Sequence, residues 1–240
     1  IIGGGILFFS RNTSETNSFQ VLQASGYEQI SQKTPPQEAS LSDLKQAKTP
    51  SEDRRSILLM GDDGGDLTDT LMVAQIDNTT DEIYMVSIPR DLIVFDEFGG
   101  YAKINSIFSR ALRREEQEHR AMVVLSKYIT RITGIEIDHY LKINFEGFIE
   151  VIDHVGGVTV DVKRSINDPY FPDKNNGYDP FQIDEGTQTL DGETALKYAR
   201  TRKTSPNGDF DRAARQQQIV ESFSRDILDQ NMLKNPRELM

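Results

Sequence analysis

The feature that most constrains the fold is a switch in hydrophobic period that recurs along the chain from Ser56 onward. Ile57-Leu58-Leu59-Met60 is a short unbroken apolar run closed by Gly61, the pattern of a buried strand. Leu71–Ile76 and Glu82–Ile88 give a second and a third strand. Between them Asp77-Asn78-Thr79-Thr80-Asp81 is turn chemistry, so this pair is expected to form a hairpin. The period then becomes helical over residues 104–133. There Ile104, Ile107, Phe108, Ala111 and Leu112 share one face, and Met122 through Ile129 supply another. His139–Asn144 reads as a strand, Phe145–His154 as a helix and Val158–Val162 as an alternating strand. A loop rich in Pro, Asp and Asn runs from Asn167 to Pro180. Asp191–Arg200 reads as a helix opened by an aspartate cap, and Asp209 starts another that runs towards Gln230. Strands interleaved with helices, one connection being a hairpin, predict an α/β fold: a three-layer α-β-α sandwich around a central mixed sheet.

The folded domain is therefore expected over residues 56–230, with 231–240 continuing helically. Residues 10–55 are rich in Ser, Gln and Thr, with Pro35-Pro36 and Pro50, and read as a polar tether. Ile-Ile-Gly-Gly-Gly-Ile-Leu-Phe-Phe over residues 1–9 is too short for a bilayer, which needs roughly 20 residues. It reads as the remnant of a membrane anchor, the alternatives being a short buried strand or a leader.

Charge narrows the function. The 240 residues carry a net charge of −11, which repels nucleic acid at long range. A nucleic-acid partner is therefore not expected, and any anion must be captured by a local basic cluster. With no cysteine, disulfides, thiolate metal sites and cysteine nucleophiles are excluded. The only histidines, His119, His139 and His154, are too widely spaced to suggest a histidine-rich metal site.

Three constellations carry chemistry. Gly61-Asp62-Asp63-Gly64-Gly65-Asp66-Leu67-Thr68-Asp69-Thr70 lies between two strands. Its carboxylates can converge on a hard cation, although an acidic loop alone is more often a solvated turn. Ser87-Ile88-Pro89-Arg90-Asp91 ends the third strand, followed by Lys103-Ile104-Asn105. Arg90 there is either aimed into a cleft or held in a surface pair with its neighbour. The densest run, from Lys197 to Arg215, holds six basic residues against only Asp209 and Asp211. With the chain extended after Tyr198, Arg200 and Arg202 would point to one side. Asp209, Arg212 and Gln216 share a helix face by their spacing. Two arginine pairs beside a helix N-terminus suit phosphate oxygens, the plainer alternative being a salt-bridged basic helix.

In order, these residues resemble the LytR–CpsA–Psr family over Ser56 to Asp226. The matching pieces are Gly61-Asp62-Asp63, Thr68-Asp69-Thr70, Ser87–Asp91, Lys103-Ile104-Asn105, Phe145-Glu146-Gly147-Phe148 and Val155-Gly156-Gly157-Val158. Leu190–Leu196, Tyr198–Arg202, Asp209–Arg212 and Arg215–Gln218 complete the series. The resemblance implies a single-pass protein of the bacterial plasma membrane with its domain on the extracytoplasmic side. It implies a phosphotransferase that moves a glycopolymer from polyprenyl pyrophosphate to a peptidoglycan hydroxyl, some members also hydrolysing a pyrophosphate-linked lipid. Carried over, Asp63 and Asp69 hold magnesium, or manganese in its place. Arg90, Arg200, Arg202 and Arg212 bind the pyrophosphate, with Gln216 helping, Asp209 orienting an arginine and Lys103 reaching phosphate. Asp91 or Asp63 serves as base, and the prenyl chain lies in an apolar tunnel between sheet and helices. One position departs from the commonest pattern: Leu67 stands where many members carry arginine. A non-catalytic polyprenyl-phosphate-binding module and a polyprenyl-pyrophosphate hydrolase are the alternatives, separated from the transferase by metal-dependent turnover and by the acceptor used.

Overall fold

A computed structural model of the chain describes residues 7–11, 54–62, 67–80, 82–96, 100–173, 177–203 and 207–229. Its centre is a five-stranded sheet. β1 (Leu7–Arg11), β2 (Arg54–Asp62), β3 (Thr68–Asp77), β4 (Glu82–Ser87) and, later in the chain, the strand His139–Ile143 lie in the order β1-β4-β3-β2 and then His139–Ile143. β3 and β4 form the expected antiparallel hairpin, with Val73 opposite Val86 and Ala74 opposite Met85. Between β4 and the last sheet strand come β5 (Ile93–Asp96), β6 (Gly100–Lys103), a 3-10 turn Ile104–Ser106, α1 (Ile107–Glu115) and α2 (Glu118–Thr133). This long crossover lets β7 (His139–Ile143) run parallel to β2, Leu59 facing Leu141 in register. The sheet is mixed for that reason.

The helical stretch expected over 104–133 is broken at its middle. Glu116 takes a left-handed conformation at φ 56°, and its N–H bonds the Leu112 carbonyl, a helix-ending geometry. α1 and α2 then fold back on the sheet. Leu58, Met60, Leu71, Val73 and Val86 pack against Ile107, Phe108, Met122, Leu125 and Ile129. Each such side chain contributes roughly 1.5–3 kcal/mol on full burial.

The opposite layer follows β7. It consists of α3 (Phe145–His154), β8 (Val158–Val162), β9 (Ile166–Asp168), β10 (Phe181–Ile183), β11 (Gly186–Leu190), α4 (Gly192–Arg200) and α5 (Asp209–Asp229). The helix bounds of α3 and α4 agree with the sequence pattern, and each has its N-cap. The Asn144 side chain accepts from the Gly147 N–H, and Asp191 from that of Thr194. The loop expected from Asn167 to Pro180 is less irregular than its composition suggests, because β9 and β10 pair across it with Asp168 opposite Phe181. Ile152, Val158, Val160, Leu190, Tyr198 and Ile219 form a second core. Met72, Ala74 and Met85 on the free sheet face meet Val220 of α5. The result is the three-layer α-β-α arrangement with a mixed central sheet.

The anchor and tether expected over 1–55 fall mostly outside the described residues, as does the continuation over 231–240. The described part, Leu7–Arg11, is an edge strand antiparallel to β4. Among the described residues no helix is long and apolar enough to cross a membrane.

α3 and α4 approach backbone to backbone at Gly192, where a Cβ would lie 2.7 Å from Ile149 Cα and closer still to the Ile149 carbonyl oxygen. Gly192→Ala is predicted to destabilise the domain by about 1–3 kcal/mol through this overpacking, read as a lower urea midpoint. An unchanged midpoint would mean that the two helices are not in such close contact.

Candidate functional site

Between the sheet and the α3–α4–α5 layer lies a cavity of about 570 Å³. Its body is apolar. Leu59 and Met72 come from the sheet, Phe148 and Val151 from α3, and Ile219 and Phe223 from α5. Leu141 and Val151 are 52% and 39% exposed, so apolar side chains of the lining also reach the protein surface. A long apolar ligand can therefore lie against walls on both sides without burying an unpaired polar group.

The rest of the lining is cationic. Arg90, Arg200, Arg202, Lys203 and Arg212 contribute to it, against two carboxylates, Asp69 and Asp168. In a chain of net charge −11 this is a local reversal of sign. Arg90 follows β4 on a fixed backbone: the Ile88 N–H bonds the Leu71 carbonyl at 2.8 Å, and the Asn105 N–H bonds that of Arg90 at 3.2 Å. Its Nη1 donates to Asp69 Oδ1 at 2.6 Å. Arg200 lies over the Phe145 ring with its guanidinium carbon 4.0 Å from the centroid, and 5.6 Å from that of Phe171. Arg212 is almost fully buried and pairs with Asp209 Oδ1 at 3.0 Å. Burial pushes its pKa down, Asp209 opposes this, and Arg202 and Arg90 push it down further. The Arg212 Nε–H is buried with no acceptor among the described residues. An orphaned donor beside mutually repelling cations is an arrangement that an anion would satisfy.

The junction of α4 and α5 aims these groups. The last carbonyls of a helix have no partner within it. Here Arg215 donates to the carbonyls of Tyr198, at 2.8 Å, and Thr201, and Gln216 donates to that of Ala199 at 3.3 Å. Arg215 is thus a buried scaffold group, and the expectation of two arginine pairs facing one anion is corrected: Arg212 lines the cavity and Arg215 does not. The helix read over Asp191–Arg200 is the one observed, so the condition of an extended chain after Tyr198 is not met. α4 continues through Arg200 and turns extended only at Thr201, with φ −57° and ψ 140°.

Of the residues singled out in the sequence, Asp69, Arg90, Arg200, Arg202, Arg212 and Gln216 come together on the cavity wall. Asp209 reaches it through Arg212. Lys103 and Asp91 do not line it. Lys103 Nζ donates to Asp91 Oδ1 at 2.7 Å, and Asp91 Oδ2 lies 3.8 Å from Arg90 Nε. The Lys103 hydrogen bond holds the Asp91 carboxyl below its ordinary range, aided by the charges of Lys103, Arg90 and Arg202. Leu67 is 49% exposed and off the cavity wall. Asp63 lies outside the described residues. Among the described residues no group of three or more His, Asp or Glu is placed to hold a metal. Of the two carboxylates on the wall, Asp168 accepts from Thr201 and the Tyr170 N–H, and Asp69 accepts at Oδ1 from Arg90; magnesium takes one or two carboxylates beside water and phosphate oxygens. Sequence reasoning did not single out Lys203, Asp168 or the Phe145 ring as site groups. The signals available for Phe145 were its place at the first turn of a capped helix and in the matching run Phe145-Glu146-Gly147-Phe148.

The LytR_cpsA_psr family model matches residues 18–240. The chain belongs to the LytR–CpsA–Psr family. Among its relatives, the cell wall biosynthesis protein LcpA of Corynebacterium glutamicum is 33% identical over 81% of this chain and 39% of its own length. The polyisoprenyl-teichoic acid–peptidoglycan teichoic acid transferase TagU of Bacillus licheniformis is 32% identical over 72% of this chain and 52% of its own. This LytR–CpsA–Psr chain therefore spans about half or less of these relatives. Two solved structures share its fold. B. subtilis TagV matches with a TM-score of 0.56 and 30% identity over 74% of this chain and 66% of that one. The family protein YwtF (TagT) with bound octaprenyl pyrophosphate lipid matches with 0.51 and 27% over 73% and 65%.

The site's scaffold makes a pH prediction. Tyr198 donates its hydroxyl to Gln218 Oε1 at 2.9 Å. Burial pushes its pKa up to about 12, against the pull of the Arg215 cation. A phenol whose pKa is raised on folding contributes stability fully present below its unfolded pKa of about 10 and lost as pH rises from there through 12. Chemical denaturation between pH 8 and 12 should show this alkaline loss in the wild type and a shallower one in Tyr198→Phe. Equal slopes would contradict the burial of the hydroxyl.

Proposed function

We propose that this chain is a phosphotransferase that moves a glycopolymer from a polyprenyl-pyrophosphate carrier to a peptidoglycan hydroxyl. The reading places the domain on the extracytoplasmic face of the plasma membrane, held by an N-terminal anchor. The observation that carries it is one cavity with an apolar body and a wall of five cations, matched to a ligand that is a long hydrocarbon at one end and a pyrophosphate at the other. Teichoic acid transfer to peptidoglycan by TagU and the octaprenyl pyrophosphate bound to TagT belong to those relatives, and they support the same class of ligand here.

In this reading the isoprenyl chain lies among Phe148, Val151, Ile219 and Phe223. Arg90, Arg200, Arg202 and Arg212 take the phosphate oxygens, and Gln216 adds a donor. The Phe145 ring holds Arg200, and Asp209 holds Arg212. Asp69, joined by Asp63, would hold magnesium or manganese, which when bound supplies further neutralisation of the two phosphates. The acceptor oxygen attacks the phosphorus that bears the glycan. The bond from that phosphorus to the bridging oxygen breaks, polyprenyl phosphate leaves with the electron pair, and a phosphodiester joins glycan to acceptor. The acceptor's proton goes to a carboxylate. Asp91, held ionised by Lys103 and away from the cavity wall, is a weak base for that proton. Catalysis is then largely positioning and electrostatic stabilisation.

Purified protein incubated with a short-chain polyprenyl-pyrophosphate glycan and a peptidoglycan fragment should release polyprenyl phosphate and form the glycan–acceptor phosphodiester. EDTA should stop both and magnesium restore them. Arg200→Ala should lower turnover by about 10²–10³-fold, as loss of one preorganised donor does elsewhere. Unaltered turnover in folded Arg200→Ala would sink the assignment. Release that ignores the acceptor would replace transfer by hydrolysis, and tight binding without release would leave a carrier module.

A further inference from the structure

Beside the arginines the cavity rim carries two exposed tyrosines. Tyr170 and Tyr178 are 62% and 66% exposed, and their rings meet edge to face with centroids 5.4 Å apart. Tyr170 also lines the cavity. Single exposed rings are ordinary on a protein surface, whereas these two are in edge-to-face contact and held on a hydrogen-bonded base. Pro172 and Tyr178 form an antiparallel bridge. The Asp179 N–H donates to the Phe171 carbonyl at 2.8 Å, and the Gly177 N–H to Asp173 Oδ1 at 2.7 Å.

The same base is tied to the cationic cluster. The Tyr170 N–H donates to Asp168 Oδ1 at 3.3 Å, and Asp168 Oδ2 accepts from Thr201 Oγ1 at 2.8 Å. Thr201 stands between Arg200 and Arg202. Phe171, next to Tyr170, has its ring centroid 5.6 Å from the Arg200 guanidinium carbon. Asp179 pairs with Lys197 of α4 at 2.5 Å. The two tyrosines are therefore tied to the segment that carries Arg200 and Arg202 through Asp168, Thr201 and the Asp179–Lys197 pair.

We propose that Tyr170 and Tyr178 form a sugar-binding platform that takes the first pyranose rings of the donor glycan and thereby helps set donor specificity. The proposal rests on the reading that the cavity holds polyprenyl pyrophosphate. With the hydrocarbon among the apolar residues and the pyrophosphate at the arginines, the sugar on the second phosphate emerges at the cationic end, where Tyr170 stands. Tyrosine rings offer an apolar face to the C–H face of a sugar and a hydroxyl to its polar edge. The donor sugar is bonded to a phosphate that the arginines already hold, so its position is fixed at each turnover, whereas the acceptor arrives from solvent.

The test compares binding of glycosylated and unglycosylated polyprenyl pyrophosphate by wild type, Tyr178→Ala and Tyr178→Phe. Tyr178→Ala should weaken binding of the glycosylated lipid about tenfold and leave the unglycosylated lipid within twofold, while Tyr178→Phe keeps most of the affinity. No loss for the glycosylated lipid, or equal loss for both lipids, would overturn the platform and leave the pyrophosphate reading standing. Wild-type protein that binds neither lipid would overturn that reading and the platform with it. Weaker binding of a soluble peptidoglycan fragment, with the glycosylated donor unaffected, would assign the tyrosines to the acceptor and overturn the donor role.

Discussion

The site depends on how the C-terminus of α4 is held. A helix that ends beside a cavity leaves carbonyls without partners, and their partial negative charge would compete for the cations around them. α5 resolves this with its own side chains, Arg215 taking the carbonyls of Tyr198 and Thr201 and Gln216 that of Ala199. One arginine is committed to structure so that its neighbours are free to face the cavity. Thr201 adds a second tie by donating to buried Asp168, which fixes the extended residue between Arg200 and Arg202. A cationic wall inside an acidic protein persists because its backbone is anchored by buried bonds and its charges are braced by Phe145, Asp69 and Asp209.

Much of this was legible in the sequence, and the exceptions have physical reasons. The β3–β4 hairpin, α3 and the capped start of α4 were visible because period and cap chemistry are local. β5 and β6 were missed, although Ile93–Asp96 pairs with Gly100–Lys103, since a four-residue strand has too little period to detect. β11 was missed as well. Its Gly186-Thr187-Gln188-Thr189-Leu190 run has one strong apolar residue, and only the partner strand β8 makes it a strand. Pairing of β9 with β10 joins segments separated by a polar loop, which composition hides. At the site, spacing identified the arginines but could not say which way each one turns. Arg212 and Arg215 lie on the same helix, one on the cavity wall and the other on the α4 carbonyls, a division that only the packing of α4 on α5 decides.

The cavity joins these facts to the proposed chemistry. An apolar body alone would suit any hydrophobic ligand, and an arginine cluster alone any small anion. Their continuity in one space selects an amphiphile with a compact, highly charged head. The family relationship is independent of that reasoning and points to the same class of ligand through the relatives' own activities. The chain spans only part of those relatives' length.

The most direct test of this account is to locate the hydrocarbon. A polyprenyl pyrophosphate bearing a photoreactive group at the far end of its chain would be irradiated on the protein and the labelled residues mapped by mass spectrometry. The account predicts labels on the apolar lining from α3, α5 and β7, such as Phe148, Val151, Leu141 or Phe223, competed away by unlabelled lipid. Competable labels confined to α1 and α2, on the opposite face of the sheet, would contradict it.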